Sequence, residues 1–98
     1  MKIYIAGKIT EQENYKELFK KAELELIEKG YTVINPTILP LGFEWHEYLK
    51  VNFAMIDICE GVYMLKNWLD SRGAKIENLY ALGTGKEILY QGEVVDNC

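Results

Sequence analysis

The 98-residue chain has a single histidine (His46), a single arginine (Arg72), two cysteines and two prolines. Each scarcity removes a class of function. Cys59 and Cys98 are too few for a disulfide framework, and Cys59 lies in an apolar run where a buried thiol is ordinary. One histidine and two distant cysteines offer no metal-ligand spacing, so no metal site is expected. Pro36 and Pro40 lie close together, which leaves no proline-rich linker and implies one domain over residues 1–98. No apolar run approaches the ~20 residues of a membrane span, and "MKIYIAGK" is too short for a signal peptide. A net charge of −4 argues against a nucleic-acid polymer as partner, while a small anion held by a few cations and backbone N–H groups stays open. The expectation is a soluble cytoplasmic protein with no membrane partner.

What is present is a globular composition, 49% hydrophobic and 27% charged, with strand and helix patterns in alternation. "KIYIAG" (Lys2–Gly7) reads as a first strand. A helix follows, with Thr10 and Glu13 at capping-box spacing, Tyr15, Leu18, Phe19, Ala22 and Leu26 on one face, and Gly30 as its stop. "YTVIN" (Tyr31–Asn35) is a second strand. "EWHEYLKVNFAMIDIC" is a second helix with Trp45, Tyr48, Leu49, Phe53 and Ile56 on its apolar face and His46 on the outer one. "GVYML" (Gly61–Leu65), apolar throughout, reads as a strand covered on both sides. "SRGAKIENLYALG" opens a third helix and "KEILY" (Lys86–Tyr90) a fourth strand; the tail from Gln91 to Cys98 has no assignment. The pattern predicts an α/β fold, a small doubly wound (flavodoxin-like or Rossmann-like) parallel sheet of about four strands in the order 2-1-3-4, with helices on both faces.

In such a sheet ligands bind beyond the carboxyl ends of the strands, where the strand order reverses. "AGKIT", the proline loop and "KNWLDSRGA" converge there. Ser71, Arg72 and Gly73 precede a helix N-terminus and suit a phosphate; equally, Ser71 is only an N-cap and Arg72 a solvated charge. Glu77 has Gly73, Ala74, Tyr80 and Ala81 at helical spacing and no charged partner there, unlike a surface glutamate. It is either a nucleophile or hydroxyl-binding carboxylate facing the crevice, or a half-buried group bonded to a tyrosine or to backbone. Asn52 falls on the apolar face of the second helix, where its amide needs partners from a ligand or from the core. Tyr4 is near the end of strand one. Trp68 is placed to stack on a base or to seal the core edge. "GTGK" (Gly83–Lys86) is not a P-loop, since Glu87 replaces Ser or Thr and a helix precedes the motif instead of following it.

The succession "IYIAG", "INP", "WHEYL", "GVYML", "NWLDSRGAKIENLYALG" resembles the small nucleoside 2-deoxyribosyltransferase-like proteins of bacteria and phages over about residues 2 to 90. The most specific element is Ser-x-Gly-x-x-x-Glu, here Ser71, Gly73 and Glu77; Tyr-x-Ala-Gly, Tyr4 to Gly7, supports it. The resemblance implies cleavage or transfer of the N-glycosidic bond of a 2-deoxynucleoside or its 5′-monophosphate. Glu77 would attack the anomeric carbon, Tyr4 would orient it, and Asn52 would contact sugar or base. Ser71 and Gly73 would lie at the 5′ end of the sugar; the reading of the residues themselves adds Arg72, Lys8 and Gly7 as substrate-binding candidates and Trp68 as the candidate to stack on a base. The resemblance also implies no cofactor, a nucleoside or nucleotide as partner, and a homodimer or larger homo-oligomer. The sequence departs from the family pattern at Asn52, where related sequences place an aspartate that assists departure of the base, and at Lys75, where the glycosidases carry a second glycine. A nucleotide-binding module without turnover is therefore the alternative.

Overall fold

The computed structural model describes residues 1–92. The elements run β1 (Lys2–Ala6), α1 (Tyr15–Glu28), β2 (Thr32–Ile34), a 3₁₀ turn (Pro36–Ile38), α2 (Trp45–Asp57), β3 (Gly61–Met64), a second 3₁₀ turn (Trp68–Asp70), α3 (Arg72–Gly83) and β4 (Glu87–Tyr90). The four strands form one sheet in the order β2-β1-β3-β4. All three pairings are parallel, and Tyr4 lies opposite both Ile34 of β2 and Val62 of β3. This is the α/β architecture and strand order that the alternating pattern predicts.

Side-chain alternation along β1 divides the interior in two. Ile3 and Ile5 join Phe19, Ala22 and Leu26 of α1 on one face. Tyr4 and Ala6 join Ile56 of α2 and Ala74 and Ala81 of α3 on the other. Gly30, at φ +97°, ends α1 in the left-handed conformation that glycine adopts without strain. No helix among the described residues is long and apolar enough to cross a membrane.

Two local expectations change. Thr10 and Glu13 do not cap α1: the helix starts at Tyr15, with Asn14 as an N-cap whose Oδ1 accepts from Gln12 Nε2 at 2.6 Å and caps no helix amide. The chain before it is held in successive turns, Gln12 N–H to Ile9 carbonyl (3.2 Å) and Tyr15 N–H to Gln12 carbonyl (3.1 Å), with Glu11 at φ +61°. This loop wraps over the strand ends instead of continuing the helix. Box-type capping occurs on α2, where the Glu47 carboxylate accepts from the Glu44 N–H at 2.7 Å. The proline loop, in turn, is partly helical, capped by the Asn35 side chain, which accepts from the Thr37 N–H at 3.0 Å. Of the unassigned tail, Gln91 is tied to the end of β3 through its N–H and the Met64 carbonyl (2.9 Å); residues 93–98 lie outside the described residues.

Candidate active site

Three side chains from three elements meet at the C-terminal edge of the sheet. Tyr4 rises from β1 toward the α2–α3 face and is fully buried. Glu77 comes from the second turn of α3, 5% exposed, and Asn52 from the middle of α2, 8% exposed. The Tyr4 hydroxyl donates to Glu77 Oε2 at 3.1 Å, and Asn52 Nδ2 donates to the same oxygen at 2.9 Å. Both bonds fall on Oε2, which leaves Oε1 without a donor among the described residues.

The electrostatics follow from this burial. Desolvation raises the Glu77 carboxyl to about 7, against the opposing pull of the Asn52 and Tyr4 hydrogen bonds, which favour the ionised form. Burial also raises the Tyr4 phenol well above its usual value, and the Glu77 charge raises it further, so Tyr4 keeps its proton and acts as a donor. Asn52 is only half satisfied. Its Oδ1 is the one fully buried side-chain polar atom without a partner among the described residues. Leaving such an atom unmet costs about 1–3 kcal/mol.

These groups form the floor of a crevice of about 720 Å³. The loop after β1 forms one side, with Gly7, Lys8 and Glu11. Gly7 has a packing reason as well: a Cβ there would come within 2.7 Å of Leu65. The Lys8 N–H is anchored on Asn67 Oδ1 at 3.0 Å. Opposite lies the start of α3. Ser71 is indeed its N-cap, accepting from the Ala74 N–H at 3.1 Å, and it lines the crevice as well. The first two amides of the helix, Arg72 and Gly73, have no backbone acceptor among the described residues, and both residues border the same space. The Arg72 guanidinium lies 4.6 Å from the Trp45 ring and has no ion-pair partner among the described residues.

Eight of the nine residues singled out from the sequence therefore line one crevice: Tyr4, Gly7, Lys8, Asn52, Ser71, Arg72, Gly73 and Glu77. Trp68 does not. The 3₁₀ turn directs it onto the core under β4, with its ring 5.8 Å from that of Tyr90. The aromatic that does border the crevice beside Arg72 is Trp45, which sequence periodicity assigns to the apolar face of α2. It stands in the first turn of that helix, beyond the sheet edge, and is 43% exposed. Its signal in the sequence is that position, directly after the loop. Asp70 lines the crevice, whereas Asp57 accepts a hydrogen bond from Tyr80 at the far end of α2. Lys75 is exposed on α3, away from the lining.

A family model described as a domain of unknown function, DUF4406, matches residues 1–90. The chain belongs to that family. No curated protein matches it. Among solved structures, it is similar to the CMP N-glycosidase BcmB of Clostridium botulinum, with a TM-score of 0.68 and 23% identity over 92% of this chain and 70% of that one. It is also similar to a 2-deoxyribosyltransferase from Leishmania mexicana, with a TM-score of 0.71 and 21% identity over 91% of this chain and 62% of that one. At these identities the likeness is one of fold. This DUF4406 chain thus has the fold of the nucleoside deoxyribosyltransferases and nucleotide N-glycosidases.

Proposed function

We propose that the chain cleaves or transfers the N-glycosidic bond of a nucleoside 5′-monophosphate, with Glu77 as nucleophile. The observation that carries this reading is the asymmetric carboxylate: Oε2 is fixed by Tyr4 and Asn52, while Oε1 has no donor among the described residues and Glu77 lines the crevice. Such a group is held in one orientation and needs no reorganisation to attack.

In the proposed step Oε1 bonds to the anomeric carbon as the carbon–nitrogen bond breaks, and its electron pair leaves with the base. The base takes its proton from water. Water or a second base then attacks the same carbon, and Glu77 leaves as a carboxylate. The sugar ends with its original configuration after two displacements. The free amides of Arg72 and Gly73 and the guanidinium over Trp45 suit a 5′-phosphate, in keeping with anion binding at a helix N-terminus. The two similar structures point to the same chemistry, one a glycosidase for CMP and the other a deoxyribosyl transferase.

Asn52 favours a second reading. An amide cannot supply a carboxyl proton to the leaving base, and loss of general acid catalysis costs about 10²–10⁴-fold in rate. A binding module without turnover would keep the same crevice. The test is chromatographic release of free base from ribo- and deoxyribonucleoside 5′-monophosphates, with Glu77→Ala in parallel. Base release that falls by at least about 10³-fold in the variant is the expected result. Saturable binding without release would sustain the module instead.

A further inference from the structure

Arg72, the only arginine in the chain, stands where a cation is least at home. It is the first residue of α3, at the positive end of the helix dipole, which disfavours a cation. It is exposed, and no carboxylate pairs with it among the described residues. A long side chain so placed would ordinarily sample many rotamers. Its guanidinium is nevertheless held 4.6 Å from the centre of the Trp45 ring, on a different helix. Trp45 is fixed in turn: it is the first residue of α2, whose start is tied by the Glu44 N–H to the Glu47 carboxylate at 2.7 Å. The ring serves little else, being 43% exposed and part of neither core cluster. Its indole nitrogen lies 3.7 Å from where a Cβ on Gly73 would sit, so the ring overhangs the start of α3, and both Trp45 and Arg72 border the crevice.

Resting on the reading of the crevice as a nucleotide site, we infer that Trp45 is a positioning residue. It holds the Arg72 guanidinium at the crevice and thereby sets the preference for a 5′-phosphate over a free 5′-hydroxyl. A cation–π contact uses the face of a guanidinium and leaves its N–H groups, which lie in the plane, free to donate. Those donors form the fork that meets two phosphate oxygens at once. An anion also answers the uncompensated charge, because guanidinium and helix dipole are both positive at this point. A free 5′-hydroxyl carries no charge and gains little from either. Held on the ring, Arg72 loses less freedom on binding than an arginine swinging in solvent, and that difference is what Trp45 contributes. Discrimination between nucleotide and nucleoside is thus assigned to a side chain of α2 acting through α3, apart from the Tyr4–Asn52–Glu77 floor.

The sole arginine gives the test a single reporter, one Nε–H signal in a ¹⁵N spectrum. In the wild-type chain the ring current of Trp45 should displace the Arg72 Hε signal upfield, and Trp45→Leu should return it to the random-coil position. A nucleoside 5′-monophosphate should move this signal, while the matching nucleoside should leave it in place. Calorimetry then gives the preference for each monophosphate over its nucleoside, expected at about tenfold or more for at least one pair. Arg72→Ala should lower that preference by about tenfold and Trp45→Leu by about three- to fivefold. Trp45→Phe, which keeps an aromatic face, should lower it by less than about twofold. In the Arg72→Ala background Trp45→Leu should change it by less than about twofold, because a positioning residue then has nothing to position. A tryptophan that only packs would weaken nucleoside and nucleotide alike and leave the ratio unmoved, which would overturn the inference. So would equal losses from Trp45→Leu in both backgrounds, no preference in the wild type, or an Arg72 signal indifferent to the nucleotide. Each of these outcomes leaves base release through Glu77 standing, and the spectral arm holds even if Trp45→Leu does not fold. Failure of every nucleotide and nucleoside to bind would remove both readings.

Discussion

The two faces of the sheet are built from the same strands and differ in kind. Toward α1 the buried cluster is Ile3, Ile5, Phe19, Ala22, Leu26 and Leu65, and the buried polar side chain on that side, Asn35, is paired with Glu23 of α1 at 3.0 Å. Toward α2 and α3 the cluster of Ile56, Met64, Ala74 and Ala81 shares its interior with Glu77, Asn52 and Asn78. On α3 the usual order is inverted: Leu79 and Leu82 are 68% and 54% exposed, while the glutamate and asparagine are buried. One face earns its place by excluding water. The other gives up part of that stabilisation to hold a carboxylate in low dielectric, where its hydrogen bonds and its raised pKa become chemically useful.

The largest expected effect lies on the dry face. Phe19 is 1% exposed among aliphatic neighbours, so Phe19→Ala should lower stability by about 3–5 kcal/mol in urea unfolding. The same variant should leave the titration of Glu77 near 7, as read by carboxyl NMR of the folded fraction. A shift of that midpoint would mean the two faces are coupled, and the comparison would fail.

The difference also explains what could be read from the sequence. The strands and the apolar face of α1 follow from hydrophobic periodicity, because the cluster between β1 and α1 is built from apolar side chains. Glu77 was legible for the opposite reason, as a charge among small residues with no charged partner at helical spacing. Periodicity failed where depth along a helix matters. Trp45 and Ile56 share a face of α2, but Ile56 lies over the sheet and is fully buried, whereas Trp45 projects past its edge toward Arg72. Trp68 went the other way, because a 3₁₀ turn of three residues carries no period and its direction is set only by packing on Tyr90. Thr10 and Glu13 have capping-box spacing, yet the turns around Gln12 claim that segment for the loop.

The second effect concerns the charge itself. Glu77 rises from 4.5 in the unfolded chain to about 7 in the folded one, so the native state holds a proton that the unfolded state has already released. Below about pH 4.5 both states are protonated, and above about 7 neither is. Between these limits stability should fall as pH rises, by a total of about 3 kcal/mol from this group. Glu77→Gln keeps the shape and an acceptor for Tyr4 without the charge. It should match the wild type near pH 4 and exceed it in urea unfolding at pH 8. Equal stability at both pH values would mean that the carboxylate is solvated by water in the crevice, and the contrast between the faces would shrink.

The smallest and most specific effect separates positioning from packing at Tyr4. Tyr4→Phe keeps the ring in the cluster with Ala6 and Val62 and removes only the donor to Oε2. That bond favours the ionised carboxylate, so its loss should move the Glu77 midpoint upward from about 7. A hydrogen bond to a charged group is worth about 1.5–3 kcal/mol, equivalent to a rise of about one to two pH units. The rise is measurable by carboxyl NMR whether or not the chain turns over. Where it does, the alkaline plateau of kcat/KM should be reached at correspondingly higher pH. A tyrosine that only fills space would change thermal stability and leave that midpoint unmoved. The direction of the midpoint therefore decides whether β1 contributes to the chemistry or merely supports the floor beneath it.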